Sequence, residues 1–136
     1  MMQIGSKKWK NVIYDGAKDL EIQMDQGKID QFAIHAVELS KWTRKINLTA
    51  ISDPLEIAVK HFLDSIAPAR YIPPDTSLLD VGSGGGFPGI PLKIMIPSLS
   101  VTLIVTFKSR FEWTLPSICP SFALSYELIF TRIKPV

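Results

Sequence analysis

The sequence is short of several things, and each shortage closes off a class of protein. Among 136 residues there is one cysteine, Cys119, so neither an intrachain disulfide nor a cysteine-rich zinc site is available. A single thiol suits a reducing cytoplasm. The N-terminus reaches Lys7 and Lys8 before any apolar leader core could form. No apolar run nears the roughly 18 residues that a membrane-spanning helix needs. An excess of one charge is also missing: 15 Lys and Arg against 13 Asp and Glu leave +2, too little to name a polyanionic partner or to exclude one. There is no internal repeat and no low-complexity tract. These absences predict a soluble cytoplasmic protein with no membrane contact and no metal.

What is present is an ordinary globular composition, 46% hydrophobic and 21% charged. The length fits one domain, and a chain of this size buries about two-thirds of its unfolded surface without staples. The mild basicity sits at the two ends. Residues 1–50 hold eight Lys/Arg and six Asp/Glu, residues 51–105 three and five, and the remainder four and two.

The first third has a helical period. From Asp25, a candidate N-cap, apolar residues fall at Ile29, Phe32, Ala33, Ala36 and Val37, one stripe of an α-helix. A weaker helix is expected from about Lys7 to Leu20, interrupted at Gly16. Ile46 to Ala50 reads as a link. Asp53-Pro54 then opens another helix, with Asp at the cap and Pro at the first helical position; its expected buried stripe is Leu55, Val59, Phe62 and Ile66. After Tyr71-Ile72-Pro73-Pro74 the character changes. Ser77 to Val81 is a nearly continuous apolar run, as in a parallel strand buried on both faces. A glycine turn, a short helix over Pro91–Ile96 and a second β-rich run, Ser100 to Val105, complete a βαβ unit. Lys108 to Leu115 is a further candidate helix and Tyr126 to Phe130 a candidate strand.

The chemistry concentrates in Asp80-Val81-Gly82-Ser83-Gly84-Gly85-Gly86-Phe87-Pro88-Gly89. Four glycines among five residues are costly in entropy for a plain turn, and such a loop at the carboxyl end of a strand accommodates a nucleotide-like cofactor. No Gly-Lys-Ser/Thr follows, which excludes a P-loop. Two registers remain. Gly84-x-Gly86-x-x-Gly89 matches the dinucleotide fingerprint but begins two residues late. Asp80-x-Gly82-x-Gly84-x-Gly86 fits the loop of S-adenosylmethionine enzymes, in which the glycines pass under the amino-acid end of the ligand.

Trp42, Lys45 to Ile51, His61-Phe62-Leu63-Asp64-Ser65 and Asp80 through Lys93 together resemble the RsmG (GidB) family of bacterial ribosomal RNA methyltransferases, most specifically at Gly82 to Leu92. The similarity is strong from about Asp25 to Ile104. It implies a Rossmann-like α/β fold of class I methyltransferases, with an incomplete parallel sheet: residues 1–70 would be an N-terminal helical extension and 71–136 the first part of the methyltransferase domain, in one folding unit. It implies S-adenosyl-L-methionine as cofactor, with contacts from Gly82 and Phe87 to which the glycine motif adds Gly84 and Gly86, and guanine N7 of 16S ribosomal RNA in the small ribosomal subunit as the target. Guanine N7 has a lone pair and no proton, so the reaction requires no general base, and no catalytic residue is assigned. Reaching that atom in folded RNA requires local unstacking or extrusion of the base.

Two departures from the family stand out. The acid expected to grip the cofactor ribose is Val105, a loss of charge-assisted hydrogen bonds worth about 1.5–3 kcal/mol each. Thr131-Arg132-Ile133 falls where the family approaches the adenine, so Ile133 is the last cofactor-binding candidate, but the acid expected next is Lys134. With the family's later strands absent, the resemblance implies a C-terminally truncated copy with a divergent tail and little or no methyl transfer. It would be a monomer in its intact form and prone here to association through an open edge at Ser77–Val81. The competing reading is a non-catalytic remnant with at most weak cofactor or RNA binding.

Other candidates are weaker. His61, Asp64 and Ser65 share a helix face but lack a nucleophile turn, and a hydrogen-bond network beneath the loop is expected instead. His35 reads as solvated, beside the apolar stripe. Lys41, Arg44 and Lys45 around Trp42 could grip RNA phosphate, or form an ordinary basic helix end. Phe111 and Trp113 read as core.

Overall fold

The computed structural model describes residues 2–104. Val105, Cys119, the candidate helix at 108–115 with Phe111 and Trp113, the candidate strand at 126–130, Ile133 and Lys134 lie outside the described residues.

Helix α1, Lys7–Asp19, is capped by the Ser6 hydroxyl, which accepts the Trp9 N–H at 3.3 Å. It buries Trp9, Ile13 and Ala17, four residues apart on one face. The expected interruption at Gly16 does not occur. A Cβ there would lie 2.2 Å from the Leu63 methyl, so the glycine serves close helix packing and breaks nothing. Helix α2, Gln26–Ile46, begins where Asp25 accepts the Lys28 N–H at 2.9 Å and ends at Asn47 in the left-handed region. Its buried face is Ile29, Phe32, Ala33, His35, Ala36 and Leu39.

Helix α3 spans residues 54–66 and starts as the Asp53-Pro54 signal predicts, with Asp53 accepting the Leu55 and Glu56 N–H groups at 2.9 and 3.0 Å. Its expected stripe is half wrong. Phe62 and Ile66 are fully buried, but Leu55 and Val59 are 47% and 40% exposed, and Ile57 and Ala58 point inward instead. The cause is the winding: Ile57–Leu63 is π-helical, and i→i+5 bonding brings Ile57 above Phe62 where a 3.6-residue period would place Val59 or Leu55. Trp9 meets Phe62 edge-on at 5.7 Å between centroids and Phe32 lies 5.0 Å from it. The Trp9 indole N–H donates to the Pro54 carbonyl at 2.9 Å. Burying three such rings is worth several kcal/mol, and this makes the helical layer the main core.

After a 3-10 turn at Ala69–Tyr71 come β1 (Ser77–Val81), α4 (Gly89–Met95) and β2 (Ser100–Ile104). The strands pair in parallel, Ser77 with Ser100 through Val81 with Ile104, which is the βαβ start of a Rossmann-like α/β fold. Leu92, Leu99, Val101 and Leu103 form a second core, and Ile90 and Met95 pack against both cores. β1 departs from expectation: Asp80 is buried and Leu78 half-buried, whereas Leu79 and Val81 are 59% and 68% exposed. Strand residues alternate sides, and among the described residues only the α4 side is covered. No helix among the described residues is long and apolar enough to cross a membrane.

Candidate functional site

The glycine run leaves the carboxyl end of β1 and is tied at several points. The Gly82 and Ser83 N–H groups both donate to the Ile104 carbonyl at the end of β2, at 2.8 and 3.2 Å. The Ser83 carbonyl in turn accepts the Gly86 and Phe87 N–H groups at 2.8 and 3.0 Å. Gly82, Gly84 and Gly86 have φ of 77°, 52° and 89°, the left-handed region that glycine enters without penalty.

Asp80 closes the loop. Its buried carboxylate accepts the Gly89 N–H at 2.9 Å, bolting the start of α4 to β1. Burial pushes its pKa up, and the Gly89 bond pulls the other way. A Cβ at Gly89 would stand 2.5 Å from a Leu103 methyl and 2.9 Å from the Asp80 carboxylate. The outer side of the loop is the opposite: a Cβ at Gly82 would meet nothing within 4 Å. Among the described residues the Gly84 and Gly85 N–H groups have no hydrogen-bond partner, and the Ser83 hydroxyl is buried without one. Open space at Gly82 and unspent donors at Gly84 and Gly85, on a run 82–86 with no charged side chain, suit a dipolar amino-acid group. The residues present thus offer the room and the donors that an amino-acid group such as that of S-adenosylmethionine requires.

Phe87 turns its ring inward. His35 stacks on it at 4.8 Å and His61 at 4.7 Å between centroids, and Phe62 meets it edge-on at 5.2 Å. The expectation of a solvated His35 is overturned: it is 3% exposed and its Nε2 lies 2.8 Å from the Gly85 carbonyl. A carbonyl oxygen only accepts, so the proton is on Nε2, and Nδ1 is buried with no partner. Burial lowers the His35 pKa to about 4 against the opposing pull of the Gly85 carbonyl. The signal for its burial lay in the sequence, since His35 falls between Phe32 and Leu39 at the spacing of the buried face.

His61 is half-buried and lies 2.9 Å from the Thr49 hydroxyl, which also accepts the Ile51 N–H. Burial lowers its pKa and Asp64 opposes the shift. Ser65 donates to the His61 backbone carbonyl, not to the ring, and Asp64 is exposed. The three residues make no triad. At the end of α2, Lys41 pairs with Glu38 at 2.6 Å and the Lys45 ammonium stands 4.8 Å over the Trp42 ring.

The structure thus gathers Gly82, Gly84, Gly86 and Phe87 into one loop, while Ile133 lies outside the described residues. The sequence matches the family described as rRNA small subunit methyltransferase G over residues 28–135. Among curated proteins it is similar to the ribosomal RNA small subunit methyltransferase G of Geobacter sulfurreducens, with 44% identity over 93 residues, 68% of this chain and 43% of that protein. Its likeness to the Geotalea uraniireducens protein of the same name is 47% over 92 residues, 68% of this chain and 42% of the relative. To that of Alkaliphilus oremlandii it is 36% over 112 residues, 81% and 46%. The matched region spans less than half the length of these relatives.

Proposed function

The chain belongs to the rRNA small subunit methyltransferase G family, and from that premise we propose that its glycine loop binds S-adenosylmethionine and that the whole protein methylates N7 of a guanine in small-subunit ribosomal RNA, in the cytoplasm. One observation carries this reading. The loop is packed at Gly85, Gly86 and Gly89 but open at Gly82, and the Gly84 and Gly85 N–H groups and the buried Ser83 hydroxyl have no partner among the described residues.

In this reading Gly84 and Gly85 donate to the carboxylate of the ligand's amino-acid end, and the absence of a side chain at Gly82 leaves it room. Bound there, S-adenosylmethionine supplies an electrophilic sulfonium methyl. The acceptor nitrogen carries no proton, so the chain has none to remove. That agrees with a site whose titratable groups are already engaged, Asp80 by Gly89 and His61 by Thr49. What remains for the protein is positioning. Phe87 contributes through its place in the loop backbone while its ring anchors the loop, and Ile133 is assigned to the adenine by family resemblance. The helical layer at 1–70 and the βαβ portion from residue 71 act as one folding unit in this reading, supported by a core that joins Trp9, Phe32 and Phe62 to Ile94 of α4.

The test is calorimetric titration of the chain with S-adenosylmethionine and, separately, with NAD, followed by transfer of a labelled methyl group to small ribosomal subunits. Saturable heat with S-adenosylmethionine and none with NAD is expected. Heat with NAD alone would move the loop to the dinucleotide class. Heat with neither would make the chain a non-catalytic remnant.

A further inference from the structure

We propose that His35 is a positioning residue of the cofactor loop, whose Nε2–H pins the Gly85–Gly86 peptide so that the loop keeps its unspent N–H donors in place. The inference rests on the reading that this loop holds S-adenosylmethionine, and it adds a residue from a helix 50 positions earlier in the chain.

A peptide plane between two glycines is easily turned over, because both residues tolerate either sign of φ. A turned plane would set the Gly85 carbonyl oxygen against the Ser83 carbonyl, break the Gly86 N–H bond that closes the turn, and displace the Gly84 and Gly85 N–H groups that precede it. Two bonds oppose that rotation, one at each end of the plane. The Gly86 N–H donates to the Ser83 carbonyl at 2.8 Å, and the Gly85 carbonyl accepts from His35 at 2.8 Å. Among the described residues, His35 is the one side chain bonded to a carbonyl of the run 82–86. The ring that makes this bond has little freedom: it is 3% exposed, stacks on Phe87 and meets Phe62 edge-on at 5.4 Å.

The ring also has no competing use for its proton. A neutral imidazole has one N–H, and Nδ1 has no partner among the described residues. The tautomer is therefore set by Gly85 alone. His61 provides the contrast. It stacks on the same Phe87 at nearly the same distance, but its Nε2 faces Thr49 and touches no loop carbonyl. His61 steadies the Phe87 ring, while His35 orients a peptide.

If His35 merely filled space, another ring of similar size would serve as well. The test compares His35→Phe, which keeps a stacking ring and lacks the donor, with His35→Gln, which keeps an N–H donor and lacks the ring, in the full chain. Circular dichroism confirms folding and calorimetry reads the affinity for S-adenosylmethionine. Losing one hydrogen bond predicts roughly three- to tenfold weaker binding by His35→Phe, with substantial rescue in His35→Gln. Wild-type affinity in His35→Phe would overturn the proposal. If the wild type itself binds no S-adenosylmethionine, the underlying reading fails, and hydrogen exchange at the Gly86 and Phe87 amides then decides on His35 alone. Faster exchange in His35→Phe but not in His35→Gln supports the pin, and equal exchange overturns it. Should His35→Phe not fold, nitrogen NMR of the wild-type imidazole is sufficient. A ring protonated at Nε2 with a coupling across the bond to the Gly85 carbonyl is expected, and a ring protonated at Nδ1 would overturn the proposal.

Discussion

The two arms of the glycine loop are built from the same residue type for opposite reasons. In the inner arm, Gly85 to Gly89, the backbone runs against α2, α3 and β2. The Gly85 carbonyl and the Gly86, Phe87 and Gly89 N–H groups are held by His35, Ser83 and Asp80, and a methyl group at Gly89 would collide with Leu103. In the outer arm, Gly82 to Gly84, there is space beside the chain, and the N–H donors of Gly84 and its neighbour Gly85 are unspent. Gly85 and Gly89 are required because nothing larger fits, Gly82 and Gly84 because the backbone takes a positive φ, and Gly86 for both reasons. Damage to the inner arm should therefore appear as lost stability. Damage to the outer arm should appear as lost binding in a protein that still folds.

The sharpest break of the inner side is at its anchor. Phe62 is fully buried and touches Trp9, Phe32, His35 and Phe87 at once. Phe62→Ala removes that hub, and a buried aromatic-to-alanine change costs about 3–5 kcal/mol. Urea denaturation should show the midpoint collapse, in a range where a small domain has little stability to spare. A loss below about 1 kcal/mol would mean that the rings pack independently of one another.

Acid reaches the same side by another route. His35 is neutral when folded, with its pKa lowered to about 4, while the unfolded chain titrates near 6.5. Between those values the unfolded state binds more protons, so stability is complete above about pH 6.5 and falls as the pH drops towards 4. The shift amounts to about 3 kcal/mol in full, of which about 2 should be lost by pH 5. The lowered pKa of His61 acts in the same direction. Denaturation midpoints at pH 7.5 and pH 5 measure this loss, and His35→Gln should flatten most of the slope. An unchanged slope in that variant would place the titration elsewhere.

Much of the architecture was legible in local signals. Asp25 and Asp53-Pro54 mark their helix starts, Asn47 falls in the expected link, and the glycine run marks the loop, because caps and turns are decided by neighbours in the chain. What was illegible depended on distant partners or on winding. His35 has the spacing of the buried face of α2, but the groups it meets there, Gly85 and Phe87, lie some 50 residues away and cannot be read from that spacing. A 3.6-residue period misplaces the stripe of α3, because Ile57–Leu63 is wound with i→i+5 bonds. The apolar run Ser77–Val81 promised burial on both faces, but its pattern cannot say which faces are covered, and Leu79 and Val81 are exposed. The loop glycines were recognised together, while their division into a packed arm and an open arm appears only when β2 and α2 are placed against them.

Gly89→Ala tests that division on the packed side. The added methyl falls 2.5 Å from Leu103 and 3.1 Å from Val101, both buried, and 2.9 Å from the carboxylate that accepts the Gly89 N–H. Overpacking of this kind costs about 1–3 kcal/mol. Thermal melts should show a lower Tm, and a Tm equal to wild type would show that Leu103 gives way freely.

Gly82→Asn tests the open side and should change stability least of all. Asparagine visits positive φ more readily than other residues with a Cβ, and nothing lies within 4 Å of the added atom. The expected cost is within about 1 kcal/mol. Its side chain would nevertheless fill the open space at Gly82 in which the proposed reading seats the ligand, so the calorimetric signal with S-adenosylmethionine should disappear while the melt stays close to wild type. The reverse result, normal titration with a depressed melt, would mean that the outer arm is as structural as the inner one. The contrast between the two arms would then fail at its more informative end, because stability alone cannot show which side of the loop faces a ligand.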